Sequence, residues 1–295
     1  MHLVTFRHRN TSGIGVLDRA NDVVVNLAQA APDLPQEMLG LIVLGEAGLD
    51  QVRHAVASGK GRLPQAEVQL LAPIPRPARN IFCVGKNYRD HVNEVQSVVS
   101  PSGNDASIPE HPIFFTKATT SVIGPNDEIP ASSDPTASAD YEGELAVIVG
   151  QGGRDISRDR AMQHVYGYSI INDVTSRRLQ KRHQQWFLGK SLDGFCPLGP
   201  SIVTRDEIAD VLQLRVQTFV NGEQRQDGVV AQMIFDIQAM IETLSAVMTL
   251  EPGDIIATGT PAGVGMGFAP PRFLQPGDHV AITIEPIGTL ENSVV

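Results

Sequence analysis

The residues with the clearest chemical potential are two glutamates set two apart in Asp140-Tyr141-Glu142-Gly143-Glu144-Leu145-Ala146-Val147-Ile148-Val149. In an extended strand, side chains at that spacing share a face and lie ~7 Å apart along it. The face continues as Ala146 and Ile148, while the other reads Leu145, Val147 and Val149, so both sides of the strand are apolar. Carboxylates on such a strand point into an enclosed space, where like charges are costly unless a cation sits between them. A third carboxylate, Asp173, ends the next apolar run, which begins at Tyr166. Three hard oxygen ligands, Glu142, Glu144 and Asp173, point to Mg2+ or Mn2+, with Ca2+ as a further candidate. The competing reading is a strand end whose glutamates reach solvent.

His91 and Glu94 form a second pairing. At i and i+3 they share a face of a helical turn, so the carboxylate can fix the imidazole tautomer and raise its basicity, as a general base requires. A surface His/Glu pair on a helix is the alternative. Lys190 lies among apolar residues and glycines in Trp186-Phe-Leu-Gly-Lys190-Ser-Leu-Asp-Gly, a setting in which an ammonium needs an anionic partner. Soon after Asp173, Arg177, Arg178, Lys181 and Arg182 fall in a short helix that is either an anion-binding face or a solvated basic one. Gly189-Lys190-Ser191 resembles the end of a phosphate-binding loop, but the glycine that motif requires at position 184 is Gln184. The glycine-rich stretch Thr258 to Gly267 follows a strand, and Pro270 and Pro271 forbid the helix a dinucleotide fingerprint needs. Its backbone amides suit a carboxylate instead.

A mainly β, α+β scaffold is expected to position these groups. Residues 80–85, 112–117, 212–220 and 255–258 read as strands, and 231–248 as a helix. Residues 95–112 are polar, contain proline and glycine, and read as a mobile flap. Before them, residues 1–59 suggest short strands with helices near 35–44 and 46–58, and then Pro64, Pro73, Pro75 and Pro77 punctuate an extended link. The expected division is a small accessory domain, 1–73, with a structural or oligomer-contact role, and a catalytic domain, 74–295.

Composition narrows the partners. A formal charge of −10 without a basic block argues against nucleic acid, leaving small molecules as the expected ligands. The two cysteines, Cys83 and Cys196, lie in apolar settings and read as buried thiols. No signal peptide is evident and no run reaches the ~20 apolar residues of a membrane span, so a soluble cytoplasmic protein is expected.

Taken in order from about residue 79, the motifs Gly85-Lys-Asn-Tyr88 with His91 and Glu94, Glu142-Gly-Glu144, Asn172-Asp173, Gly189-Lys190-Ser191 with Asp193-Gly194, Pro252-Gly-Asp254 and Thr258-Gly-Thr260-Pro-Ala-Gly263 resemble the fumarylacetoacetate hydrolase family. The resemblance implies a rolled, barrel-like mixed sheet, a homodimer, and a divalent metal held by Glu142, Glu144 and Asp173. It also implies a His91–Glu94 base dyad, a Lys190 that reaches substrate, and a site lined by Arg177, Gln180 and Thr260. Arg178 departs from the pattern, since many members carry an aspartate there. The implied activity is hydrolysis of a C–C bond in a 2,4-dioxo acid of acylpyruvate or fumarylpyruvate type. His91 would activate water and a metal-stabilised pyruvate enolate would leave. Oxaloacetate decarboxylation and isomerisation of a 2-hydroxyhepta-2,4-diene-1,7-dioate type substrate use the same enolate. A non-catalytic binder of 2-oxo acids is the reading from another class, and the base dyad argues against it.

Overall fold

The computed structural model describes residues 1–99 and 108–295. Its backbone is a mixed sheet whose strand order runs Arg62–Pro64, Val23–Asn26, Thr11–Asp18, His2–His8, Cys196–Thr204, Val165–Asn172, Gly143–Val149, Ile255–Ala257, Ile81–Gly85, Ile113–Lys117. The order has two ends, so the sheet is rolled without closing. Most pairings are antiparallel, but Ile255–Ala257 runs parallel to Ile81–Gly85. A separate four-stranded sheet, ordered Glu223–Val229, Arg215–Val220, His279–Ile284, Gly288–Ser293, packs on its flank.

The strand Gly143–Val149 is buried along its whole length, as its two apolar faces require. Leu145, Val147 and Val149 enter one core with Phe82, Tyr168, Ile170 and Ile282. Ala146 and Ile148 enter another with Ile81, Cys83, Ile171 and Ala257. That second core also holds Leu3, Ile14, Val16 and Leu41, so apolar side chains from before residue 74 complete the packing under the carboxylate strand. The sheet is continuous across the same point, because His2 and Leu3 pair with Val203 and Ile202.

Several elements are shorter than their sequence patterns. The expected helix over 231–248 is Ile237–Val247, because the Asp236 side chain accepts from the Ala239 N–H at 2.9 Å and sets the N-terminus there. Residues 174–183 divide into the bridge Thr175–Ser176 and the helix Arg177–Arg182. Of the flap expected over 95–112, residues 95–99 continue the helix Arg89–Val99, and residues 100–107 lie outside the described residues. Cys83 and Cys196 are both buried and unbridged. No helix among the described residues is long and apolar enough to cross a membrane.

Candidate active site

Pairing of Gly143–Val149 with Val165–Asn172 brings the carboxylates together. Gly143 sits opposite Asn172, so Asp173 emerges beside Glu142, and its N–H donates to the Glu142 carbonyl at 2.9 Å. The Asn172 side chain accepts from the Glu142 N–H at 3.0 Å and fixes the same corner. Glu142, Glu144 and Asp173 are all buried, and one oxygen from each lies within 4.8 Å of the others.

Each carboxylate meets a different environment. Glu142 accepts from Arg177 Nη1 through Oε1 and from Lys190 Nζ through Oε2, both at 2.6 Å. Burial alone would raise its pKa, but Arg177 and Lys190 hold it well below the carboxylate range. Asp173 lies 2.6 Å from Lys190 Nζ through Oδ2 and 2.7 Å from Lys117 Nζ through Oδ1. Glu144 has no cation within ion-pair distance among the described residues and accepts a backbone N–H, from Gly259 at 2.7 Å. Burial, with the charges of Asp173 and Glu142, pushes its pKa well above the ordinary value.

This arrangement fits a hard divalent cation. Three anionic oxygen donors converge, Glu144 lacks a counter-charge, and the Lys190 ammonium is already a cation shared by the other two. Burial opposes the charge on Lys190, yet Asp173 and Glu142 keep its pKa raised, at about 12. The anionic partner that its apolar surroundings demanded is therefore a pair of carboxylates. Gly189 seats this lysine: a Cβ there would stand 2.5 Å from the Gln180 N, so the helix Phe187–Lys190 can press against Arg177–Arg182 only with glycine.

His91 is buried, with Nδ1 3.4 Å from Glu94 Oε2, which is long for a hydrogen bond. Glu94 is instead anchored by the Gly263 N–H, at 2.9 and 3.1 Å to its two oxygens. Such contacts tighten when substrate arrives in many enzymes. His91, Lys190, Arg177, Gln180 and Thr260 line one cavity of about 590 Å3 with Glu142 and Glu144. Arg177 is committed through Nε to Asp140 at 2.8 Å and through Nη1 to Glu142, leaving Nη2 with no acceptor among the described residues. The Thr260 hydroxyl donates to Gly143 O at 2.9 Å and accepts from Gln226 Nε2 at 2.7 Å.

The glycine-rich loop does cradle carboxylates, and they are the protein's own. Gly259 holds Glu144, Gly263 holds Glu94, and the N–H groups of Gly265 and Met266 donate to Asp140 at 2.7 and 2.9 Å. Gly259 and Gly263 have φ of 100° and 106°, a conformation that glycine adopts without the strain of a side chain. Asp140 and Lys117 are structural partners that the spacing argument passed over. Asp140 was within reach of it, since 140, 142 and 144 continue one alternation. Lys117 offered no spacing signal, being the last residue of an ordinary strand. Trp186 and Phe115, stacked edge to face at 5.3 Å, form an aromatic wall, and Lys190 Nζ lies 5.0 Å from the Phe115 centroid.

The fold and site together set three clustered carboxylates that could hold a metal ion beside a buried histidine in one cavity. Residues 80–295 match the model for the fumarylacetoacetate (FAA) hydrolase C-terminal region, and the chain belongs to this family, whose members are enzymes. The chain is 55% identical over 229 residues to the oxaloacetate tautomerase YisK of Bacillus subtilis, covering 78% of this chain and 74% of that protein. Among solved structures, the fumarylacetoacetate hydrolase of Exiguobacterium antarcticum superposes with a TM-score of 0.83 at 44% identity, covering 100% of this chain and 99% of that one. Maleylpyruvate hydrolase from Sphingobium sp. SYK-6, in complex with manganese (II) ion and pyruvate, gives a TM-score of 0.79 at 32% identity over 100% and 99% of the two chains.

Proposed function

We propose that this protein catalyses proton transfer at the carbon next to the carbonyl of a short 2-oxo acid, interconverting its keto and enol forms, with oxaloacetate as the first substrate to test. The observation that carries this reading is a single buried imidazole, His91, lining the same cavity as the carboxylate cluster. The name of the Bacillus subtilis relative supports it.

Glu142, Glu144 and Asp173 would hold a divalent ion. Bound there, it would supply Lewis acidity to the carboxylate and 2-oxo oxygens and stabilise negative charge on the latter. The Arg177 Nη2 donor is available to the substrate carboxylate. His91 has Nδ1 turned to Glu94, which leaves Nε2 for substrate. It takes the proton from C3, the C–H electron pair moves into a C2–C3 double bond, and the carbonyl π pair moves to oxygen. Return of a proton to that oxygen gives the enol, and return to C3 restores the ketone. The anionic Glu94 stabilises the imidazolium between the two transfers.

The second reading, hydrolysis of an acylpyruvate, draws on the same dyad. His91 would deprotonate a water that attacks C4, and the C3–C4 bond would break to leave the pyruvate enolate. The maleylpyruvate hydrolase likeness favours this alternative.

Enol-oxaloacetate and an acylpyruvate, each supplied with Mg2+ or Mn2+, distinguish the two. A tautomerase removes the enol absorbance of oxaloacetate without forming pyruvate, a decarboxylase forms pyruvate from it, and a hydrolase releases pyruvate from the acylpyruvate. His91→Asn should slow the true reaction by about 10²–10⁴-fold, the usual loss of a general base, while metal affinity is unchanged. Ketonisation no faster than in buffer would refute the tautomerase reading.

A further inference from the structure

Gly143 separates Glu142 from Glu144, and its backbone is held from outside the strand that carries them. Its N–H donates to Gln226 Oε1 at 3.0 Å, and its carbonyl accepts from the Thr260 hydroxyl at 2.9 Å. Gln226 also reaches the other end of this clamp, because Nε2 donates to Thr260 Oγ1 at 2.7 Å and to Pro261 O at 2.8 Å. Both amide hydrogens and the amide oxygen are therefore used inside the protein. Gln226 has no exposed surface and is not part of the cavity lining, whereas Thr260 is.

The side chain comes from the four-stranded sheet, in the strand Glu223–Val229. There it sits opposite Thr218 of Arg215–Val220, and both side chains meet Gly143: a Cβ on that glycine would stand 2.2 Å from Thr218 Oγ1 and 3.4 Å from Gln226 Oε1. Thr218 is as buried as Gln226, but its hydroxyl has no hydrogen-bond partner among the described residues. One member of the cross-strand pair thus bonds to the carboxylate strand, and the other only packs on it.

The loop after Ile255–Ala257 is tied into the same clamp. Thr260 and Pro261 follow Gly259, whose N–H donates to Glu144 at 2.7 Å. Gln226 therefore fixes both the backbone step that separates Glu142 from Glu144 and the residue next to the amide that holds Glu144. Without it, the buried Gly143 N–H and Pro261 carbonyl would each need a new partner, and the main chain would shift to find one.

We propose that Gln226 is a positioning residue for the clustered carboxylates, setting their affinity for a divalent ion through Gly143 and Thr260 without touching ion or substrate itself. This rests on the reading that Glu142, Glu144 and Asp173 hold such an ion.

The test is calorimetric titration of the metal-free protein with Mn2+, comparing wild type, Gln226→Met and Thr218→Val, with urea unfolding in chelator to show that each variant is folded. Both replacements are close in size to the residue they remove, and only the first removes hydrogen bonds to the carboxylate strand. Gln226→Met should weaken Mn2+ binding by about 10–100-fold, the usual effect of losing an outer-shell partner, while Thr218→Val stays within about twofold of wild type. A merely structural role would lower stability and leave the affinity of the folded protein unchanged. Thr260→Val, which removes the bond to the Gly143 carbonyl from the other end, should also weaken Mn2+ binding, and it carries the test if Gln226→Met does not fold. Wild-type affinity in folded Gln226→Met or in Thr260→Val, or an equal fall in Thr218→Val, would overturn the positioning role alone. Failure of the wild type to bind Mn2+ would overturn the metal reading of the cluster and the positioning role with it.

Discussion

Lys117 Nζ lies 2.7 Å from Asp173 Oδ1, and neither side chain has exposed surface. The same ammonium donates to Val174 O at 3.0 Å, so it fixes both the carboxylate and the backbone that carries it.

Lys117→Met should therefore destabilise the protein. Breaking a buried ion pair costs about 3–5 kcal/mol, and the second contact of Asp173 with Lys190 places the expectation near the lower end. Urea unfolding in chelator measures it. A loss under about 1 kcal/mol would mean that Lys190 alone satisfies Asp173.

The raised pKa of Glu144 has a defined sign for stability. A carboxyl whose folded pKa lies above its unfolded value contributes stability that is present below the unfolded pKa and lost as pH rises through the folded one. Metal-free wild type should lose stability as pH rises above about 4.5, the unfolded value, and Glu144→Gln should remove that part of the slope. Below the folded pKa of Glu144, Mg2+ or Mn2+ should bind with release of a proton, seen as a calorimetric enthalpy that depends on the buffer. Parallel pH profiles for wild type and variant would contradict the assignment.

Trp186 is the chain's single tryptophan and lines the cavity, so intrinsic fluorescence reports directly on the site. Oxalate added with Mg2+ should change the emission, and addition of chelator should restore it. Gly85→Ala should displace the indole, giving an altered spectrum before any ligand is added. An unshifted spectrum in Gly85→Ala would show that the wall tolerates the methyl group.

The geometry of the His91–Glu94 pair depends on a close glycine contact. A Cβ at Gly267 would stand 2.2 Å from Glu94 Oε1, so Gly267→Ala should push the carboxylate away from His91. A misplacement of that order lowers turnover by up to about 10²-fold. Metal affinity should hold, since the three atoms nearest a Cβ at Gly267 all belong to Glu94, outside the carboxylate cluster. A fall in metal affinity equal to the fall in turnover would place the damage in the loop as a whole.

The carboxylate strand was legible because alternation writes burial into sequence directly. Glu142, Glu144 and the apolar residues on both faces leave few alternatives once Asp173 follows the next run. The glycine-rich loop was legible as an anion binder, but which anion it binds depends on pairings far apart in the chain, such as Gly259 with Glu144. Helix length was overestimated at 231–248 because apolar residues continue past a cap whose effect is local. Lys117 stayed hidden since a lysine ending a strand ordinarily reaches solvent, and only the fold reveals that this one cannot.

The pairing of His2–His8 with Cys196–Thr204 also bears on how the chain is made. Met1 N donates to the Thr204 hydroxyl at 2.7 Å across a separation of 203 residues. During synthesis the first strand emerges well before its inner neighbour, with only Thr11–Asp18 and Val68–Leu71 available to pair with it. Until Cys196–Thr204 arrives, Leu3, Ile14 and Val16 can pack only on N-terminal apolar residues of their cluster such as Leu41, Ile42 and Val52, and the strand edge at His2 and Leu3 stays open. Completion of this core is thereby tied to translation beyond Thr204, a long-range pairing that closes late.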